Sequence, residues 1–224
     1  MLILKLLRTI SYRRATGCTA FIAWIAIGLS GCQAGATVDT TDRGKELFVT
    51  CAECHGVSGQ GNSAIGAPNI AGMKVQYIER ELRKFRSGIR GAQFDDREGM
   101  RMRPMAQSLS SDEDVIAVAT YVASLPPVPH SATLGGDAHA GQARYALCSA
   151  CHGPTGAGNE SLKAPRIAGV DDWYLATELR KFKGGVRGAD PRDAEGAMMR
   201  PMAATLTDDK AIQDVVAYVA TLKP

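Results

Sequence analysis

The chain has 224 residues, 26 Lys and Arg against 23 Asp and Glu, and 45% hydrophobic residues. These values fit a globular protein of one or two domains and exclude a disordered chain or one made mainly of membrane spans. The formal charge of +3 is too small for a nucleic-acid-binding surface and is unevenly placed: Lys5, Arg8, Arg13 and Arg14 precede the first acid, Asp39. Without those four the net charge is about −1.

Residues 1–31 read as an export signal, with a basic start and an apolar run from Cys18 to Leu29. That run is too short to span a bilayer, which takes about 20 residues. Its end, Leu29-Ser30-Gly31-Cys32, resembles a bacterial lipobox, which makes Cys32 the lipidated first residue of the mature protein. A multi-acyl anchor holds far more firmly than one chain, since each buried CH₂ contributes about 0.8 kcal/mol. Gln33 stands where an inner-membrane retention signal has aspartate, which points to the outer membrane. Residues 32–41 are small and polar and read as a tether.

The remainder is one unit written twice. Cys51-Ala-Glu-Cys54-His55 recurs as Cys148-Ser-Ala-Cys151-His152, and from Gly44 to Leu125 about 38 of 82 positions match their partners 97 residues on, without a gap. The expected organisation is domain 1 over 42–126, a linker over 127–140 and domain 2 over 141–224. The linker should be stiff at Pro126, Pro127 and Pro129 and loose at Gly135-Gly136. Each copy shows three helical stretches. The first runs from Asp42 into the cysteine motif. The second, Val75 to Arg86, places Ile78, Leu82 and Phe85 on one face and stops at Gly88. The third opens at Ser110 with Glu113 as a capping box, and Thr207 opens its counterpart. No long period-two alternation is present, so the class is all-α with long loops. Such small domains usually need a staple beyond their own core.

The Cys-x-x-Cys-His motif supplies it. Two thiols three residues apart can reach two vinyl groups on one porphyrin edge, and the adjacent histidine then falls under the iron. A thioredoxin-like pair needs no histidine, and a zinc site needs four ligands where each unit offers three. Two covalent c-type haems are expected, on Cys51, Cys54, Cys148 and Cys151, with His55 and His152 as axial ligands.

The sixth ligand separates electron transfer from gas or peroxide chemistry. His130 and His139 have no counterparts in the other copy and read as solvated linker residues. Methionines do repeat: Met102 with Met199, and Met105 with Met202. The reading takes Met105 and Met202 as ligands, because a rigid Pro-Met step just ahead of the third helix could hold sulfur against iron. Met102 and Met199 are the alternative pair, read otherwise as core filling. Arg83-Lys84 and Arg180-Lys181 read as a solvated helix face.

The units resemble class I cytochrome c domains, and their tandem resembles the dihaem cytochrome c4 family. The residues that carry this are the two haem motifs, Gly44 and Phe48 with Tyr121, Gly141 and Tyr145 with Tyr218, and Tyr77, Glu81, Phe85, Gly88 and Arg90 with their copies. The resemblance implies that the Pro68 and Pro165 carbonyls accept the proximal imidazole N–H. It implies a periplasmic carrier of single electrons, not an enzyme, with a quinol-oxidising complex as donor and a haem–copper terminal oxidase as acceptor. A cytochrome subunit of a periplasmic dehydrogenase and a dihaem peroxidase are the rival readings.

Overall fold

A computed structural model describes residues 40–129 and 132–223. The export signal, Cys32, residues 33–39 of the tether and His130 lie outside the described residues. Among the described residues there are no strands, only isolated bridges at Asn62–Ala67 and Asn159–Ala164. No described helix is long and apolar enough to cross a membrane.

The first half contains α1 (Thr40–His55), α2 (Val75–Arg86), α3 (Arg97–Gln107) and α4 (Asp112–Ser124). The second repeats them as α5 (Ala138–His152), α6 (Asp172–Lys183), α7 (Ala194–Ala204) and α8 (Asp209–Thr221). In each half the first and last helices cross at a glycine. A Cβ on Gly44 would lie 2.2 Å from the Ala117 carbonyl oxygen, and one on Gly141 1.9 Å from that of Asp214, so only glycine allows this approach. Beside the crossing, Phe48 meets Tyr121 at 5.3 Å between ring centroids, and Tyr145 meets Tyr218 at 5.2 Å. Val115, Val118 and Val122 from α4, and Ile212, Val215, Val216 and Val219 from α8, complete two apolar cores.

Several expected boundaries move. α1 takes in Thr40 and Thr41 and runs through the cysteine motif, and α5 begins at Ala138, inside the expected linker. The caps sit one residue later than expected. Ser111 accepts the Asp114 N–H at 3.1 Å, and Asp208 accepts that of Ala211 at 2.8 Å. Each half has a fourth helix, α3 or α7, hidden in the sequence by Pro104 and Pro201. These prolines stand on the exposed side of their helices, where water can replace the missing donor. Capping aspartates start both helices: Asp96 accepts from Gly99 N at 3.1 Å, and Asp193 from Gly196 N at 3.0 Å. The Pro-Met step therefore still precedes α4 and α8, but lies within a helix of its own rather than in a loop.

The glycine end of the linker is tied down rather than loose. The buried Asp172 carboxylate accepts from Thr133 N, Thr133 Oγ1 and Leu134 N at 2.6, 2.8 and 2.7 Å. Burial alone would raise its pKa, but these hydrogen bonds hold it below the usual carboxylate range. At Gly136 a Cβ would come within 2.4 Å of the Gln213 carbonyl oxygen.

Candidate haem sites and the seam between them

Helices α1 and α5 end in the cysteine motifs, which puts both thiols and the imidazole of each half on one terminal turn. Cys51 and Cys148 are partly buried, whereas Cys54 and Cys151 are exposed. Burial pushes the Cys51 and Cys148 thiols up. A redox thiolate needs the opposite shift, so neither pair is tuned for disulfide exchange.

His55 and His152 are buried, and their Nδ1 atoms lie 2.8 and 2.9 Å from the Pro68 and Pro165 carbonyl oxygens. A carbonyl only accepts, so Nδ1 carries the proton and Nε2 keeps a free lone pair for a metal. Burial lowers both imidazole pKa values, with the carbonyl bond pulling the other way, and favours the neutral, ligating form. The proline carbonyl is positioned by a glycine. Gly61 and Gly158 adopt φ of +82° and +81°, and a Cβ there would lie 2.7 and 2.6 Å from the proline carbonyl carbon. The loop can thus fold tightly back on the histidine turn.

In the second half a cavity of about 380 Å³ brings together Cys148, Cys151, His152, Pro165, Met199 and Met202. Its other walls are largely apolar, including Ile167, Leu179, Phe182 and Val219. It extends to Tyr77, Glu81 and Lys84 of the first half, so the niche opens onto the seam between halves. On α3, Met102 is half-buried, while Met105 is 40% exposed. His139 is exposed and does not line this cavity.

The seam is an ion lattice with pseudo-twofold symmetry. Arg90 binds Glu81 of its own half and reaches Glu178 of the other at 3.0 Å; Arg187 binds Glu178 and reaches Glu81 at 2.9 Å. Each guanidinium also lies over a phenylalanine, Arg90 on Phe85 and Arg187 on Phe182, at 4.3 Å. All four charged groups are buried. Burial alone would raise the Glu81 carboxyl, but Arg90 and Arg187 override it and hold it at about 2. Glu178 is lowered in the same way. Lys84 and Lys181, expected to be solvated, are instead buried partners in cross-seam ion pairs, while Arg83 and Arg180 remain surface residues paired with Asp112 and Asp209. The sequence reading missed this seam, although Glu81, Lys84, Arg90, Asp96 and Glu98 all recur identically 97 residues on.

The Nε–H groups of Arg90 and Arg187 are buried without an acceptor. Buried donors are rarely left so, and an anionic group at the niche edge would satisfy them. A haem carries carboxylates of that kind, so the apolar niche, the paired thiols, the neutral imidazole and the orphaned donors all fit it.

The cytochrome c family profile matches residues 41–126 and again 138–223. The chain belongs to the cytochrome c family. Among its relatives is the cytochrome c4 of Thiocapsa roseopersicina, 34% identical, with the match covering 71% of this chain and 81% of that one. Another is the thiosulfate dehydrogenase electron acceptor of Stutzerimonas stutzeri, 33% identical over 84% of this chain and 86% of that protein. The crystal structure of reduced cytochrome c4 from Pseudomonas stutzeri superposes with a TM-score of 0.65 at 28% identity, covering 82% of this chain and 98% of that one. The chain is thus a dihaem cytochrome of the c4 type, with two tandem all-α domains, two covalent c-type haems and an electron-carrying role.

Proposed function

We propose that this dihaem cytochrome is a lipid-anchored periplasmic carrier whose two irons are each capped by histidine and methionine. Bound haem supplies a one-electron ferric/ferrous couple, and a filled sixth position reserves it for electron transfer. The observation that carries the reading is the cavity of the second half, where His152 and the α7 methionines line one apolar space. In this reading the chain fixes the neutral imidazole through the Pro68 and Pro165 carbonyls and presents a thioether from α3 or α7.

Two congruent methionine pairs are available. Met102 and Met199 are half-buried in both halves, whereas Met105 is 40% exposed. Burial in both copies supports Met102 and Met199. The pair expected from the sequence, Met105 and Met202, keeps one point in its favour, since Met202 lines the cavity beside Met199. In either pair the sulfur would come from α3 and α7, which contain the Pro-Met step.

Anchoring through Cys32 rests on the Leu-Ser-Gly-Cys sequence and would keep the carrier at a bacterial membrane, the outer one by the residue at position 33. There it would accept electrons from a quinol-oxidising complex and deliver them to a haem–copper oxidase. The relative named for accepting electrons from thiosulfate dehydrogenase favours a second reading, in which the donor is a periplasmic dehydrogenase.

A spectroscopic redox titration of the haem-loaded chain, followed by carbon monoxide and hydrogen peroxide, tests the capped-iron reading. Two haems should titrate, both should show the sulfur-to-iron band when oxidised, and neither should take up added ligand. A haem that lacks the band and binds peroxide would make the protein an enzyme of the peroxidase kind.

A further inference from the structure

We propose that Lys84 and Lys181 are positioning residues that act across the seam, each holding the start of the methionine-bearing helix that serves the other domain's haem. The proposal rests on the histidine–methionine reading above. Lys84 Nζ, on α2 of the first domain, lies 2.6 Å from Asp193 Oδ1 and 3.1 Å from Glu195 Oε2 of the second. Lys181 Nζ, on α6 of the second, lies 2.6 Å from Asp96 Oδ1 and 2.8 Å from Glu98 Oε2 of the first. Their own-domain contacts are longer, 3.4 Å to Glu81 and 3.5 Å to Glu178.

The bound aspartates are the N-caps of α7 and α3, and both are 1% exposed. The same Oδ1 that accepts the lysine also accepts the N–H of Gly196 or Gly99. The first turn is pressed against its own domain at Gly188 and Gly91, where a Cβ would lie 2.2 and 2.1 Å from the Gly196 and Gly99 carbonyl oxygens. One cap oxygen therefore joins three elements: the first turn of the methionine helix, its own capping aspartate and a lysine from the opposite domain. The two candidate methionines of each helix follow the cap by six and nine residues, about 9 to 14 Å along the axis at 1.5 Å per residue. A helix is stiff over that length, so releasing its first turn shifts or frays the segment that presents the sulfur.

The consequence is reciprocal. The strength of sulfur ligation at one haem depends on a residue of the other domain, and a shift at the seam is felt by both irons. A lysine that only stabilised its own domain would act on its own haem, and one that only glued the seam would act on both alike.

The test uses the full haem-loaded chain in two backgrounds. Met102→Leu with Met105→Leu removes both candidate sulfurs of the first domain, leaving the sulfur-to-iron band of the second haem alone; Met199→Leu with Met202→Leu does the reverse. Lys84→Leu and Lys181→Leu, which remove the ammonium and add no sulfur beside the haem, are then placed in each background. A buried, charge-assisted hydrogen bond is lost, so we expect Lys84→Leu to raise the fraction of second-domain band lost on warming about tenfold, and Lys181→Leu to change it less than twofold. In the reverse background the two variants exchange roles. Equal loosening of both haems by either lysine, loosening of the own-domain haem, or no change at all would overturn the proposal. If the methionine double variants leave both bands intact, the ligation reading itself fails and the proposal falls with it; this outcome is read before any lysine is replaced.

Discussion

Where the two haem domains face each other, Glu81, Lys84, Arg90, Asp96 and Glu98 are matched by Glu178, Lys181, Arg187, Asp193 and Glu195, and make matching contacts. Inside each domain the crossing glycine, the aromatic pair and the histidine–carbonyl bond are shared, but other problems are solved differently. The last helix of the first half buries Asp114, which accepts from Arg43 at 2.9 Å and Ser110 at 2.7 Å. The last helix of the second buries Asp214, one turn away from the equivalent place, where it accepts from Asp137 N at 2.8 Å and from Lys210. Tyr145 donates its hydroxyl to the Gly153 carbonyl at 2.6 Å, whereas the first half has Phe48 there. The left-handed turn after the haem motif uses Gly66 at φ +69° in one half and Lys163 at φ +53° in the other. Towards the rim of the seam Arg80 pairs with Glu160 and Asn69 N with Asp171, whose copies are Thr177, Ser63 and Lys74 and cannot repeat the contacts. The two-fold axis at the centre of the seam accounts for the match there. A residue there meets the copy of its own neighbours, so a change on one side must fit two environments at once, while a change inside one domain must fit only one.

The comparison breaks most visibly at the lattice. Glu81→Gln leaves Arg90 and Arg187 sharing one carboxylate, and breaking a buried ionic group of this kind costs about 3–5 kcal/mol. Glu178→Gln should cost about the same, because the lattice is symmetric. Denaturant unfolding of both variants checks this, and unequal losses would show that the symmetry of position is not one of energy.

Acid probes the same groups. The folded-state pKa of Glu81 is depressed to about 2 from an ordinary 4.5, and that of Glu178 is also depressed. Their stabilisation is therefore fully present above about pH 4.5 and is lost as pH falls toward 2. Thermal melts across that window should fall steeply for the parent and more shallowly for Glu81→Gln.

The smallest effect sharpens the difference between the halves. Tyr145→Phe removes a hydrogen bond that the first half never had, and should cost about 1 kcal/mol in the second domain alone. Hydrogen exchange resolved by domain would register it, with the first domain unchanged.

Much of this was readable from the chain. The haem motifs, the Val75–Arg86 helix and the tandem repeat follow from spacing and period, because local geometry dictates them. The neutral tautomer of His55 and His152 could be expected only through the family resemblance, since the proline carbonyl lies 13 residues away. The helices α3 and α7 were hidden because an interior proline ordinarily ends a helix, and nothing local shows that Pro104 stands on the exposed side. Lys84 and Lys181 looked like a solvated face because a helical wheel does not show that another domain covers it. Their signal was present in another form: charged residues repeated without change in a pair of domains that otherwise diverge at half their positions.

If the ion lattice holds the two haem domains in one fixed arrangement, their irons lie a single distance apart. Pulsed electron paramagnetic resonance on the fully oxidised, dilute chain reads the distance between its two irons directly. A seam held by the lattice gives one narrow distance distribution that broadens in the Glu81→Gln, Glu178→Gln double variant. A broad distribution in the parent, or a narrow one that the double variant leaves unchanged, would contradict it.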